Sequence, residues 1–268
     1  MPAERRPVRL VLVVGTGTEV GKTWVSARLL AGLRAGGLSV AARKPAQSFD
    51  PGDDPATTDA AVLGASTGEA PTVVCPPQRW YPVAMAPPMA AEVLGRPPFS
   101  LADLMAELTW AEGDGDGAGG VVPQVGVVET AGGVGSPQAT DGDAVDLARL
   151  LRPDAVVLVA DAGLGTINAV RLAVGALARG VVDPSGRRGA PVTVVLNRYD
   201  DGDDLHRRNR QWLADRDGLD VVVSPGGLDV LVTRLVASVT VQPALHLDRA
   251  DPGEARRGRG TAPPTRSG

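Results

Sequence analysis

Gly15-Thr16-Gly17-Thr18-Glu19-Val20-Gly21-Lys22-Thr23 follows the apolar run Val8 to Val14 and leads into Trp24 to Ala35, where Val25, Leu29 and Leu33 recur at helical spacing. The order is strand, glycine-rich loop, helix. Backbone N–H groups of such a loop wrap a phosphate, and the helix N-terminus adds partial positive charge. Lys22 is placed to neutralise β and γ oxygens. The Thr23 hydroxyl is then a candidate ligand for Mg²⁺. Five residues separate Gly15 from Gly21 where four are usual, so Thr16 stands where the first glycine is expected. The stretch reads as a variant phosphate-binding loop with a nucleotide as its ligand. Its bland alternative is a glycine-rich turn beside a surface lysine.

Outward from this loop, Gly36-Gly37 ends the first helix, and Ser39 to Arg43 reads as a second strand running into Lys44-Pro45. Pro45 cannot donate to a sheet ladder, which puts Lys44 at the strand's carboxyl end. Open α/β sheets bind ligands at that edge, making Lys44 a candidate second cation beside the phosphates rather than a solvated surface lysine. Phe49 to Thr58 is a loop rich in Asp, Pro, Gly and Thr. Asp59 then opens a short helix, either as a first-turn charge or as a magnesium ligand. Two apolar strands end in an acid: Val125 to Val128 at Glu129, and Ala155 to Ala160 at Asp161. Gly132-Gly133 after the first allows close backbone approach to a ligand. That favours Glu129 as the second carboxylate near magnesium and leaves Asp161 as a helix or loop cap. Gly163-Leu164-Gly165-Thr166-Ile167-Asn168 opens a long helix ending near Arg179-Gly180, and is either a second anion-friendly N-terminus or an ordinary tight turn. Pro191 to Leu196 is a strand ending at Asn197, whose amide suits a nucleobase edge and equally a turn.

The chain of 268 residues carries a net charge of −4, which provides no basic field for nucleic acid and points to small-molecule partners. Cys75 is the one cysteine, so disulfide frameworks and cysteine zinc sites are excluded, and it reads as a small buried hydrophobe. His206 and His246 have no companions at metal or triad spacing, which leaves a serine or cysteine hydrolase without support. Met1 to Arg9 lacks a signal peptide's apolar core, and no apolar run reaches the ~20 residues of a membrane span. A cytoplasmic protein is the expectation. Pro71 to Pro98 reads as a long irregular connection, and Ser100 to Trp110 as a helix capped by Ser100. Glu112 to Gln124 reads as a surface insertion. Helices over Asp143 to Leu151, Asp204 to Arg216 and Leu228 to Val239, with a last strand at Val221 to Val223, complete the alternation. The expected fold is one α/β domain over residues 1–247, a doubly wound and mainly parallel sheet flanked by helices, of P-loop NTPase type. From Asp248 the chain loses apolar content, and 248–268 reads as a disordered tail.

The loop Gly15 to Thr23, taken with Lys44-Pro45-Ala46-Gln47-Ser48, Glu129-Thr130-Ala131-Gly132-Gly133 and Gly163 to Asn168, resembles dethiobiotin synthetase. The likeness is collinear from about Val8 to Gly227, and Tyr81-Pro82 with Met85-Ala86-Pro87 also looks like that family's segment ahead of its Ala-Ala helix. The five-residue gap in the loop is the family's own spacing. The resemblance implies ATP-dependent closure of a ureido ring on 7,8-diaminopelargonic acid with CO₂, giving dethiobiotin, ADP and phosphate in biotin biosynthesis. It implies catalytic roles for Lys22, Lys44, Thr18 and Ser48, the last three beside a carbamate. Nucleotide contacts come from Gly17, Thr18, Glu19, Val20, Gly21, Lys22 and Thr23, with Asn197 reading the base. Mg²⁺ falls to Thr23, Asp59 and Glu129, and substrate contacts to Lys44, Ser48 and Gly132. Gly165, Thr166 and Asn168 reach the substrate carboxylate from the neighbouring subunit of a homodimer. Thr130 stands where the family usually has Gly, Gly17 replaces a common Asp, and Ala169 and Met89 stand where His is frequent. These departures touch the substrate end. The competing readings are a same-fold ATP-dependent ligase acting on another diamine or carboxylate, including an amidotransferase-type cobyrinate ligase, and a non-enzymatic partitioning-type nucleotide switch. The first of these would need a glutaminase cysteine, and the switch a second loop lysine and an amphipathic C-terminal helix.

Overall fold

The computed structural model describes residues 6–110, 122–180 and 189–240. The insertion read at Glu112 to Gln124 falls mostly outside them, as does the tail from Asp248. In chain order the elements are β1 (Arg9–Gly15), α1 (Lys22–Ala35), β2 (Val40–Arg43), β3 (Gln47–Ser48), α2 (Asp59–Thr67), α3 (Pro71–Val74), β4 (Trp80–Tyr81), α4 (Pro87–Val93), α5 (Leu101–Glu107) and β5 (Val125–Glu129). There follow β6 (Pro137–Ala139), β7 (Gly142–Asp143), α6 (Ala144–Leu151), β8 (Ala155–Asp161), α7 (Thr166–Gly180), β9 (Val192–Asn197), α8 (Asp204–Gln211), β10 (Asp220–Val223) and α9 (Leu228–Thr240). A single π-helical turn, Trp212–Arg216, extends α8.

The central sheet runs β10-β9-β8-β1-β5-β2, and every pairing in it is parallel. Strands buried on both faces read as continuous β-branched runs, which is the character of Val11 to Val14 and Val156 to Val159. The period of two then divides β1 between two cores. Leu10, Leu12 and Val14 face α4 to α7, whereas Val11 and Val13 face α1, α2 and α9. β1 lies between β8 and β5, and the chain leaves it toward β2 on one side and returns to β8 on the other. The crevice outside its carboxyl end is the switch point at which such sheets bind ligands.

The proline-rich stretch is more ordered than its composition indicates. Trp80–Tyr81 pairs in parallel with Gln47–Ser48, and α3 and α4 begin at prolines that suit a first helical turn. Strands of two residues are too short to carry a period. The helix expected to reach Trp110 stops at Glu107 behind a Ser100/Asp103 capping box, although Leu108 and Trp110 continue into the core.

Candidate active site

The loop between β1 and α1 packs tightly against its own backbone. A Cβ at Gly15 would lie 2.9 Å from the Gly17 carbonyl and 3.0 Å from Lys22 Cδ, so a side chain there would force the loop or Lys22 to shift. Gly21, with φ of +89°, is the residue immediately before α1. Lys22 donates to the Gly17 carbonyl at 3.0 Å. Burial lowers the Lys22 ammonium to about 8, and the neighbouring Lys44 acts in the same direction.

Strand ends and helix starts bring the other charged groups together. Lys44, at the end of β2 and 2% exposed, places Nζ 2.6 Å from Asp59 Oδ2, 2.9 Å from Glu129 Oε1 and 3.2 Å from the Thr130 carbonyl. Burial alone would lower its pKa. The charges and hydrogen bonds of Asp59 and Glu129 outweigh that and hold it above the ordinary range. Asp59 is the first residue of α2, whose cap is Thr58. Burial pushes the Asp59 carboxyl up, but the charge and hydrogen bond of Lys44, with the Thr23 hydroxyl, keep it below the usual carboxylate range. Gln47 Oε1 accepts from Ala60 N at 2.9 Å and ties the start of α2 to β3. Glu129, at the end of β5, is fully buried, and its Oε2 accepts from Ser26 Oγ at 2.6 Å.

Thr23 Oγ1 lies 2.7 Å from Asp59 Oδ1 and 2.7 Å from Glu129 Oε1. A hydroxyl carries one proton, so it serves only one of these carboxylates at a time and the other contact is left without one. Three hard oxygens converging with too few protons between them suit a divalent cation such as Mg²⁺, which takes one or two carboxylates and completes its shell with phosphates and water.

A cavity of about 830 Å³ opens over these groups. Thr18, Glu19, Gly21, Lys22, Thr23, Lys44, Ser48, Asp59 and Gly132 all line it, so residues spread over more than a hundred positions share one wall. Ser48 donates to the Met85 carbonyl at 2.6 Å and draws the Ala84–Pro87 segment in as the apolar side. Glu129 lies just behind the wall. Asn197 sits beneath the loop, donating from Nδ2 to the Val20 carbonyl at 3.0 Å and accepting from Ser224 Oγ at 3.1 Å. Gly165, Thr166 and Asn168 do not line the cavity of their own chain.

The close approach at the glycine pair is partly of another kind than expected. A Cβ at Gly132 would meet Ser136 Oγ at 2.4 Å, and one at Gly133 the Gly17 backbone at 3.2 Å. The pair therefore fits this segment to the phosphate loop as well as lining the cavity. Asp161 caps its loop by accepting from Gly163 N at 2.9 Å, and also pairs with Arg198 at 3.0 Å. Arg198 in turn donates to the Glu19 carbonyl at 2.7 Å and lines the cavity. Sequence reasoning passed over Arg198 and Ser26. Arg198 adjoins Asn197 and could have been found by position, whereas Ser26 reads as one more residue on a helix face.

No family model matches the chain. The ATP-dependent dethiobiotin synthetase of Haloferax mediterranei is 37% identical over 213 residues, 80% of this chain and 82% of that protein. That of Rhodococcus jostii is 37% identical over 225 residues, 81% of this chain and 87% of that protein. A solved plasmid partition protein from Borrelia burgdorferi aligns over 87% of this chain and 97% of that one, with 11% identity and a TM-score of 0.48. The 37% identity to these two synthetases, over about four fifths of the chain and of each relative, means that the chain belongs to the ATP-dependent dethiobiotin synthetase family.

Proposed function

We propose that the protein converts 7,8-diaminopelargonic acid and CO₂ to dethiobiotin, coupled to cleavage of ATP to ADP and phosphate. The observation that carries this reading is the convergence of Lys22, Thr23, Lys44, Asp59 and Glu129 at one sheet edge in a chain of this family. One amine of the diamine and CO₂ form a carbamate. A carbamate oxygen attacks the γ-phosphorus and ADP leaves. The second amine then attacks the carbonyl carbon of the mixed anhydride, phosphate leaves, and the ureido ring closes. Phosphoryl transfer of this kind needs alignment and charge neutralisation more than covalent help.

The loop N–H groups and Lys22 would hold the phosphates, with Thr18, Lys44 and Ser48 beside the carbamate. When held by Thr23, Asp59 and Glu129, Mg²⁺ would neutralise phosphate oxygens. All three Lys44 protons have acceptors in this structure, so contact with a carbamate oxygen requires Lys44 to release one of them. Asn197 has one N–H to offer a base beyond the one given to Val20. The substrates are soluble metabolites, which supports a cytoplasmic setting.

A homodimer is part of the same reading. Leu164, in the turn before α7, is 92% exposed, Leu172, one turn beyond Asn168, is 68% exposed, and Thr166 Oγ1 is buried without a partner. A second subunit that covers these leucines would bring the start of α7 to the partner's substrate. Leu164→Asp and Leu172→Asp should then give a monomer by light scattering and a raised KM for the diamine, whereas an unchanged oligomeric state would remove the dimer.

The function is tested by phosphate release with ATP, Mg²⁺ and bicarbonate, with and without the diamine, alongside mass detection of dethiobiotin. Diamine-dependent release with the product mass, abolished by Lys22→Ala, is the expected result. Release indifferent to the diamine while nucleotide still binds would move the reading to the same-fold ligase acting on another substrate.

A further inference from the structure

We propose that Ser26 is a positioning residue for metal binding: its hydroxyl aims the Glu129 carboxylate at Thr23 and so sets the site's affinity for a divalent cation. The inference rests on the magnesium reading of Thr23, Asp59 and Glu129 given above.

Ser26 and Glu129 are both fully buried. Ser26 Oγ donates to Glu129 Oε2 at 2.6 Å, within the range of charge-assisted O–H···O⁻ bonds. The other carboxylate oxygen, Oε1, faces Thr23 Oγ1 at 2.7 Å and Lys44 Nζ at 2.9 Å. Thr23 and Ser26 are three residues apart on α1 and therefore share one helix face. One helix thus grips both oxygens of one carboxylate, Ser26 from behind and Thr23 from the metal side. A carboxylate free to rotate about its terminal bond would present either oxygen, or an edge between them. The Ser26 bond removes that freedom.

The neighbours of Ser26 sharpen the point. Val25, Leu29 and Leu30 on the same helix are buried apolar residues, and an alanine at 26 would suit the packing and the helix better than serine. A serine inside a helix commonly returns its proton to the carbonyl four residues back. Here the proton goes instead to a carboxylate contributed by a strand more than a hundred residues away. Outer partners of metal-ligating groups typically alter metal affinity by roughly 10- to 100-fold when removed.

The test uses Mn²⁺ as the probe, bound to the full-length protein loaded with ATP and followed by electron paramagnetic resonance, with an ATP-only titration subtracted. Ser26→Ala and Ser26→Cys are compared with wild type, Ser26→Thr and Glu129→Gln. Cysteine is close to serine in size and a weak donor, so it answers the question even where the alanine variant does not fold. We expect both to weaken Mn²⁺ binding by roughly 10- to 100-fold. Metal-free ATP affinity should stay at the wild-type value. Half-saturating Mg²⁺ in the turnover assay should rise by the same factor, with kcat recovered at high Mg²⁺, and Ser26→Thr should restore binding. Wild-type Mn²⁺ affinity in folded Ser26→Cys, with Glu129→Gln impaired, would overturn the proposal and leave the magnesium reading standing. Wild-type affinity in Glu129→Gln would overturn both.

Discussion

Replacing Lys44 by methionine removes the one ammonium that touches both site carboxylates, at nearly constant volume. Lys44 is 2% exposed, Glu129 has no exposure, and the Asp59 side chain is 35% exposed. The cost therefore falls mainly on Glu129, which cannot rehydrate. Breaking a buried pair by removing one partner costs about 3–5 kcal/mol, because a charge is left uncompensated. A domain of this size shifts by about 2–4 °C per kcal/mol, so the melting temperature should fall by roughly 6–20 °C. Urea unfolding in EDTA at neutral pH, with wild type and Lys44→Met side by side, measures the loss directly. Two further arms locate its origin. Glu129→Gln combined with Lys44→Met should recover a good part of the stability, since no buried carboxylate remains unpaired there. Added Mg²⁺ should stabilise Lys44→Met more than wild type, because the vacated carboxylates gain a cation. A loss below about 1 kcal/mol, the scale of an exposed salt bridge, would refute the reasoning, as would a double variant no more stable than the single one.

Gly21→Ala should weaken nucleotide binding by about tenfold or more in calorimetric titration. The new Cβ would lie 2.1 Å from Asn197 Nδ2 at a backbone φ of +89°, and left-handed backbone alone costs a non-glycine residue about 1–2 kcal/mol. Gly17→Ala, where the nearest side-chain atom is 3.9 Å away, should leave the melting temperature within a degree or two of wild type, at about 2–4 °C per kcal/mol. Burial pushes the Cys75 thiol up to about 12. Its protonated form is favoured in the fold, so this stabilisation is complete below the unfolded thiol's ~8.5 and is lost as pH rises from there through about 12. At pH 8 a disulfide reagent should leave Cys75 unmodified in native protein and label it at once in denaturant.

The doubly wound sheet was legible because its signals are local and repeated. β5 was expected at Val125 to Glu129 and lies there, β8 and β9 fall within a residue of their expected bounds, and α7 ends at Gly180 as expected. A buried parallel strand announces itself as a β-branched run, and a helix start as a cap or glycine turn. The two-residue strands Gln47–Ser48 and Trp80–Tyr81 gave no such signal. They pair because Ser48 bonds the Met85 carbonyl and Phe49 N bonds the Tyr81 carbonyl, contacts set by tertiary packing. The glycines after Glu129 showed that something approaches closely, but φ preference carries no information on what approaches, and part of the answer is Ser136 and the loop itself.

The site divides along the same physical line. Lys44 and Glu129 could each be placed at the carboxyl end of a strand, because strand polarity and termination are written in neighbouring residues. Their union could not be read, since β2 and β5 become neighbours only through the sheet order. Once β2 lies beside β5, Lys44 and Glu129 end on the same edge, and a buried carboxylate beside a buried ammonium has no better partner than that ammonium. The same satisfiability argument reaches Ser26. Glu129 Oε2, on the other side of the carboxylate from the contacts of Lys44 and Thr23, needs a donor, and Ser26 on α1 supplies it. What the chain's order conceals is therefore the set of polar partners on the dry side of the site. These partners follow from the rule that a buried charge keeps all of its hydrogen bonds, applied to the packed sheet rather than to the sequence.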